Sequence, residues 1–479
     1  MNKQKYLIAN MPLTARHYWI VFVASLGQLI GTAVATIAGI IIPMMNIIMH
    51  PELSSAMQGL IGCMDLLGIV FGSVIFGKLC DKYGYIFFFR FCPALILIFS
   101  VLAALVPNVW VLLASLFFIG LGIGGEYSLD SNYISELLPE KYRALMIGVA
   151  KTAASFGNII AAGVCFLLIL DWKNADRWPD LFWIIAGIAM LMLITRIWYY
   201  QSPKWLVLHG KYSQAEKAAE EFLGPDVDIA TPVAYSSTNS DIKAKTRQTT
   251  SETENSESSS ASGQSLWSFI KKNWNAVVLS GFPWACEGLG VYGIGVFLPI
   301  LVMALGIEHN SMGGNPIFHV ANSVEVTFWI SCIILPGFVL GLYLIHKKMN
   351  IPRIQTVGFW LCAIMLIILL LAFHYNWNKW ISIGAFMLFE LFLNMGPHLV
   401  TYVLPPKIYP VEVRGIGSGL AASIGKIGAV LAVFIIPVLL KWGGPVLVLL
   451  VSACVMALGA IMTSVYSRKV FNEEVVTEK

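Results

Sequence analysis

The sequence predicts an all-α membrane protein with about twelve transmembrane helices in two six-helix bundles, and three observations predict it. Of 479 residues, 57% are hydrophobic and only 12% are charged, whereas an ordinary soluble domain carries about 25% charge. Apolar stretches recur from Tyr18 to Ser464, each roughly 20 residues long, which is what crosses about 30 Å of hydrocarbon at about 1.5 Å per residue. One long polar run divides these stretches into two equal sets.

In the first half the stretches cover residues 18–42, 56–77, 87–106, 109–137, 143–170 and 180–200. In the second they cover 274–304, 324–345, 354–373, 380–403, 414–440 and 445–466. Residues 1–17 are polar and lead straight into an apolar run without a short h-region and small-residue cleavage site, so a cytoplasmic tail and a retained first helix are expected. Residues 201–273 form a linker. Its later part, Ser236–Ser265, is so rich in Ser, Thr, Glu and Lys that it cannot bury enough apolar surface to fold. Residues 467–479 form a second tail.

Orientation follows from the short loops, because Lys and Arg stay on the cytoplasmic side. With the N-terminus inside, the inner loops hold Lys78, Lys82, Arg90, Lys141, Arg143, Lys347, Lys348, Arg353, Lys407 and Arg414. The outer side holds only Lys173, Arg177, Lys379 and Lys441. Both termini and the linker are therefore expected in the cytoplasm, with the helices in a plasma membrane or bacterial inner membrane.

The net charge of +4 is distributed by topology and offers no basic patch to nucleic acid. The eight cysteines, Cys63, Cys80, Cys92, Cys165, Cys286, Cys332, Cys362 and Cys454, show no CxxC spacing or Cys/His pairing. They read as small buried hydrophobes, and no metal is expected. There is no Walker A sequence, HExxH or GxSxG, so neither ATP hydrolysis nor an intramembrane enzyme with a cofactor is expected.

Against this background the charges inside the apolar stretches stand out: Glu126, Asp130, Lys151, Glu287 and Lys426. A charge at mid-membrane costs about 2.5 to 3.5 kcal/mol, so these groups are expected to face a cavity or one another. Glu126 and Asp130 are spaced i, i+4 and project from one helix face, where two acids can hold a proton. Glu126 is the expected proton-coupling group, and a permanently ion-paired structural acid is the alternative. Lys151 is expected to meet either acid in the empty protein and to yield to an anionic solute. Lys426 lies mid-span, too far from either end to snorkel easily, and is expected to face substrate. Asp65 and Glu390 are weaker cavity candidates, with interhelical hydrogen bonding as the alternative. His398 beside Pro397 reads more readily as a helix-break residue than as a proton relay.

Several motifs carry a family resemblance. Gly77-Lys-Leu-Cys-Asp81-Lys-Tyr-Gly84, between the second and third stretches, resembles the GxxxDxxGRR signature of the major facilitator superfamily, with Tyr85 and Ile86 in place of the basic pair. Gln201-Ser-Pro203-Lys204-Trp205-Leu206 resembles the PESPRWL motif of its sugar-porter-like members. The runs Gly120–Tyr127, Asn394–Pro397, Tyr402–Pro405 and Gly425-Lys426 are similar to the phosphate:proton symporter branch. The resemblance implies a proton site at Glu126, a substrate tyrosine at Tyr127 and a substrate lysine at Lys426. The branch's WxxxDxxxY pattern lands on Trp284, Gly288 and Tyr292, with Glu287 adjacent to the missing aspartate. The chain departs further in having no acid in its first stretch, Ala154 in place of a binding glutamine, and the added charge of Lys151.

The function implied is a secondary transporter that works by alternating access and takes up a small polar, anionic metabolite with protons. A sugar or polyol carrier is the alternative within transport, and a nutrient sensor signalling through the linker is the alternative from another class. The expected partners are solute, protons and lipid, and the expected working unit is a monomer.

Overall fold

A backbone that crosses hydrocarbon can satisfy its N–H and C=O groups only with one another, and each predicted apolar stretch is helical. The structure, a computed structural model, describes residues 6–7, 11–197, 199–223, 227–228, 266–306, 316–347, 349–409 and 414–477. The Ser236–Ser265 run lies outside the described residues.

The first half holds α1 (Ala15–Ile48), α2 (Ser55–Tyr83), α3 (Tyr85–Leu105), α4 (Val109–Leu137), α5 (Glu140–Trp172) and α6 (Phe182–Arg196). In the second half α7 is compound: Trp274–Gly288 passes through a π-turn at Leu289–Ile294 into Leu298–Ala304. Helix α8 joins Ile317–Cys332 to Ile334–His346, and α9 spans Ile351–His374. Helix α10 runs Lys379–Met395, breaks at Gly396, and resumes as Pro397–Val403. The final helical run, Arg414–Thr477, is 64 residues long. Unbroken it would reach about 95 Å, some three times the hydrocarbon thickness. It breaks where Gly443 (φ −139°) and Gly444 (φ 63°) leave helical geometry ahead of Pro445. Two helices result, α11 (414–442) and α12 (445–477). Among the described residues 11 helices are long and apolar enough to cross a membrane, the last of them, Gly419–Phe471, containing this break. Resolved at the break, they make twelve passes.

Helix α2 packs on α4, α1 on α5 and α3 on α6, while α11 packs on α7 and α12 on α9. The halves meet along α2 against α11 and α5 against α8. The outer surface is apolar, with Trp19, Phe22, Phe87, Ile98, Leu167 and Leu431 exposed as a lipid-facing helix requires. At the ends of α1 and α6 a small layer forms. It comprises helices Pro203–Leu208 and Tyr212–Leu223 and a two-residue parallel pairing of Tyr6–Leu7 with Val227–Asp228. All eight cysteines are free thiols, most of them buried as expected.

Candidate functional site

The two halves bring Lys151 of α5 and Lys426 of α11 to a shared cluster of aromatic rings. Lys151 Nζ donates to Oε1 of Gln28 on α1 at 2.5 Å. It lies 4.7 Å from the ring centroids of both Tyr127 on α4 and Tyr402 on α10. Lys426 Nζ donates to the hydroxyl of Tyr292 on α7 at 2.7 Å, 4.3 Å from that ring and 5.6 Å from the ring of Tyr127. Trp284 stands edge-on to Tyr402, 4.9 Å between centroids. Tyr127, Lys151, Trp284, Tyr292 and Lys426, scattered over four helices, thus share one locus. Among the described residues no carboxylate lies within salt-bridge distance of either amine. The two ammonium groups repel each other, and Asp130 and Asp65 act on them only from farther away.

Next to the cluster is a cavity of about 60 Å³. Polar side chains from both halves line it, among them Thr36, Asn158, Thr327, Ser331, Glu390 and His398. Tyr292 belongs to both the cavity and the amine cluster.

Glu126 and Asp130 are held elsewhere. Arg196, in the last turn of α6, reaches Glu126 Oε2 with Nη1 at 2.6 Å and Asp130 Oδ1 with Nη2 at 3.4 Å. The guanidinium also donates to the Phe89 carbonyl at 3.2 Å and lies over the Phe89 ring. All three charged side chains are buried and none lines the cavity. The guanidinium takes the place expected of Lys151, which pairs with Gln28. Two carboxylates thus share one guanidinium, and among the described residues Glu126 Oε1 and Asp130 Oδ2 accept no hydrogen bond.

Glu287 contacts Nδ1 of His398 through Oε1. The residue after Glu287 leads into the π-turn of α7, and His398 follows the break in α10. Farther along the cavity wall, Asn394 Nδ2 donates to Glu390 Oε2 at 3.2 Å. Asp65, fully buried in α2, accepts from Leu66 N at 2.8 Å through one oxygen and leaves the other without a partner.

Of the superfamily-like motif, the side-chain surroundings of Gly77 and Asp81 lie outside the described residues. Gly84 ends α2 at φ 87°, a conformation that favours glycine, and a Cβ there would strike the Gln201 amide. Gln201 Oε1 in turn accepts from Ile86 N at 2.9 Å, so the two motifs meet at one corner. Among the described residues no group of three His, Cys, Asp or Glu could hold a metal ion.

Sequence reasoning missed Arg196, Gln28 and Tyr402 as site residues. Arg196 sat inside the predicted sixth stretch and Gln28 inside the first, and a lone polar residue within an apolar run was the available signal. Tyr402 had no signal beyond its motif.

The sequence profile of the sugar (and other) transporter family matches residues 10–467. The inner membrane metabolite transport protein YgcS of Escherichia coli K12 is 24% identical over 418 residues, covering 86% of this chain and 83% of that protein. The niacin transporter NiaP of Acinetobacter baylyi is 23% identical over 436 residues, covering 90% and 88%. The repressible high-affinity phosphate permease of Neurospora crassa is 24% identical over 395 residues, covering 76% and 67%. Among solved structures, the partially occluded inward-open xylose transporter XylE of E. coli superposes with a TM-score of 0.72 at 18% identity, over 94% of this chain and 97% of that one. That likeness shows the fold. With a profile match along nearly its whole length, the chain belongs to the sugar (and other) transporter family of the major facilitator superfamily, whose members are transporters and not enzymes.

Proposed function

We propose that this transporter takes up a small anionic metabolite together with protons, by alternating access around the amine cluster. The observation that carries the reading is the pair Lys151 and Lys426, two half-buried amines on opposite halves that share Tyr127 and, among the described residues, lack a carboxylate in salt-bridge range. An ammonium without a counterion inside a protein carries a desolvation penalty of several kcal/mol. An anion between the two amines relieves both and draws the halves together, the coupling that alternating access requires. A neutral sugar has no use for two such amines. The names of two relatives support the same class, since niacin and phosphate both bear negative charge.

Proton coupling supplies the driving force. One charge moving through about 100 mV releases about 2.3 kcal/mol, roughly a 50-fold concentration ratio. The site is completed within one chain, which supports a monomer, and the basic inner loops support cytoplasmic termini.

Purified protein in liposomes tests the reading by counterflow with phosphate, nicotinate, succinate and xylose. At least one of the anions is expected to exchange, and an inward proton gradient is expected to accumulate it. Exchange of xylose with none of the three anions overturns the anionic reading, and anion exchange indifferent to the proton gradient overturns the coupling.

A further inference from the structure

Glu126 and Asp130 face Arg196 and neither lines the cavity, whereas one titratable pair opens onto it. His398 lines the cavity and its side chain keeps 12% of its surface exposed, while its partner Glu287 is 1% exposed. Each member sits at a discontinuity in its helix. Glu287 lies one residue before the end of the regular segment of α7, ahead of the π-turn Leu289–Ile294, and π-turns mark positions where a helix can shift. His398 is the second residue after Gly396, whose φ of −114° and ψ of −87° interrupt α10. There Gly358 of α9 brings its backbone so close that a Cβ on Gly396 would lie 3.0 Å from the Gly358 Cα. The contact therefore ties two broken helices of the same half at their weak points.

We propose that Glu287 and His398 form a proton-operated tie between α7 and α10 that couples protons to the opening of the cavity. With a proton on both ring nitrogens, the imidazolium and the Glu287 carboxylate form a buried ion pair that clamps the two helices. When the imidazolium gives one proton to water in the cavity, the neutral ring keeps at most a hydrogen bond to the carboxylate, and the lower segment of α10 is freer to move. That segment carries Tyr402, which touches the Lys151 ammonium. The tie thus connects proton occupancy to the solute amines through one short helix. The groups around the pair are Phe338 on α8, Tyr402 on α10 and Tyr292 on α7, with Glu390 and Asn394 of α10 on the same cavity wall. The two amines lie beyond these rings: Lys426 donates to Tyr292 and Lys151 lies against Tyr402. The proposal deepens the proton-coupled reading and rests on it.

A solute-free measurement tests the tie. Spin labels at Asp171 and Lys441, exposed at the outer ends of α5 and α11, report the separation of the two halves in a C454S background. In lipid nanodiscs the distance distribution of the otherwise unaltered protein is expected to differ between acidic and alkaline buffer. The change is expected to vanish in H398Q and in E287Q and to persist in E325Q, which alters an acid away from the cavity. A wild-type distribution indifferent to pH, or a full wild-type response in H398Q, overturns the proposal. Should H398Q fail to fold, E287Q decides alone, because it keeps the shape of the acid and removes its charge. Gradient-driven uptake of phosphate, nicotinate and succinate in the same variants separates the two levels. Coupled uptake that survives in both H398Q and E287Q removes the tie and leaves the transporter reading standing.

Discussion

At the scale of single residues, the structure separates charges that the sequence presented as one group. Lys151 and Lys426 share Tyr127 without a carboxylate in range, whereas Glu126 and Asp130 share Arg196. Substituting Lys151 or Lys426 by Gln removes half of the positive charge at the cluster. Each variant is expected to raise the KM for a transported anion at least tenfold, about 1.4 kcal/mol, in counterflow assays. An unchanged KM in both would show that the amines do not meet solute. For the triad the expected loss is in stability. Arg196→Gln strands two buried carboxylates, and breaking a buried pair costs about 3 to 5 kcal/mol, so R196Q is expected to melt well below E126Q, in which Asp130 keeps its partner. Equal melting of the two would contradict the triad as drawn. The i, i+4 spacing made the acids legible in the sequence. Their cation was not, because Arg196 lies 66 positions beyond Asp130 and only the packing of α6 against α3 and α1 brings it there.

At the scale of elements, what could be read early was whatever depends on local length and apolarity. The twelve stretches, and the gap between residues 440 and 445 where Gly443 and Gly444 leave helical geometry, follow from local sequence. The π-turn of α7 and the break of α10 did not, since Leu289–Ile294 carries no proline and only Gly396-Pro397 hints at the second. Both interruptions fall where titratable side chains meet, and so the tie between Glu287 and His398 was invisible while each residue was read on its own helix. Gly84 gives an element-scale prediction. Gly84→Ala must hold a Cβ at φ 87° against Gln201, a strain of about 1 to 2 kcal/mol. G84A is expected to lower the melting temperature and slow exchange, read by thermal melting and counterflow. Wild-type values in both would show that the corner between the two motifs tolerates movement.

At the scale of the whole molecule, the arrangement joins two six-helix halves through a locus to which each contributes one amine, the first half adding Tyr127 and the second Trp284, Tyr292 and Tyr402. A cavity of about 60 Å³ beside it is lined from both halves, the place where the proposed alternating access opens to one side and then the other. The fold was legible because a membrane permits few alternatives. The solute was not, because charge balance at the centre depends on which of five helices turns which face inward. The central claim is that the two amines exist to hold an anion. Thermal stabilisation of the purified protein by phosphate, nicotinate, succinate and xylose tests it most directly, comparing wild type with the double variant K151Q/K426Q. The account predicts that at least one anion raises the melting temperature of wild type, that xylose does not, and that the shift disappears in the double variant. Stabilisation by xylose and by none of the anions, or an anion shift that survives loss of both amines, would contradict it.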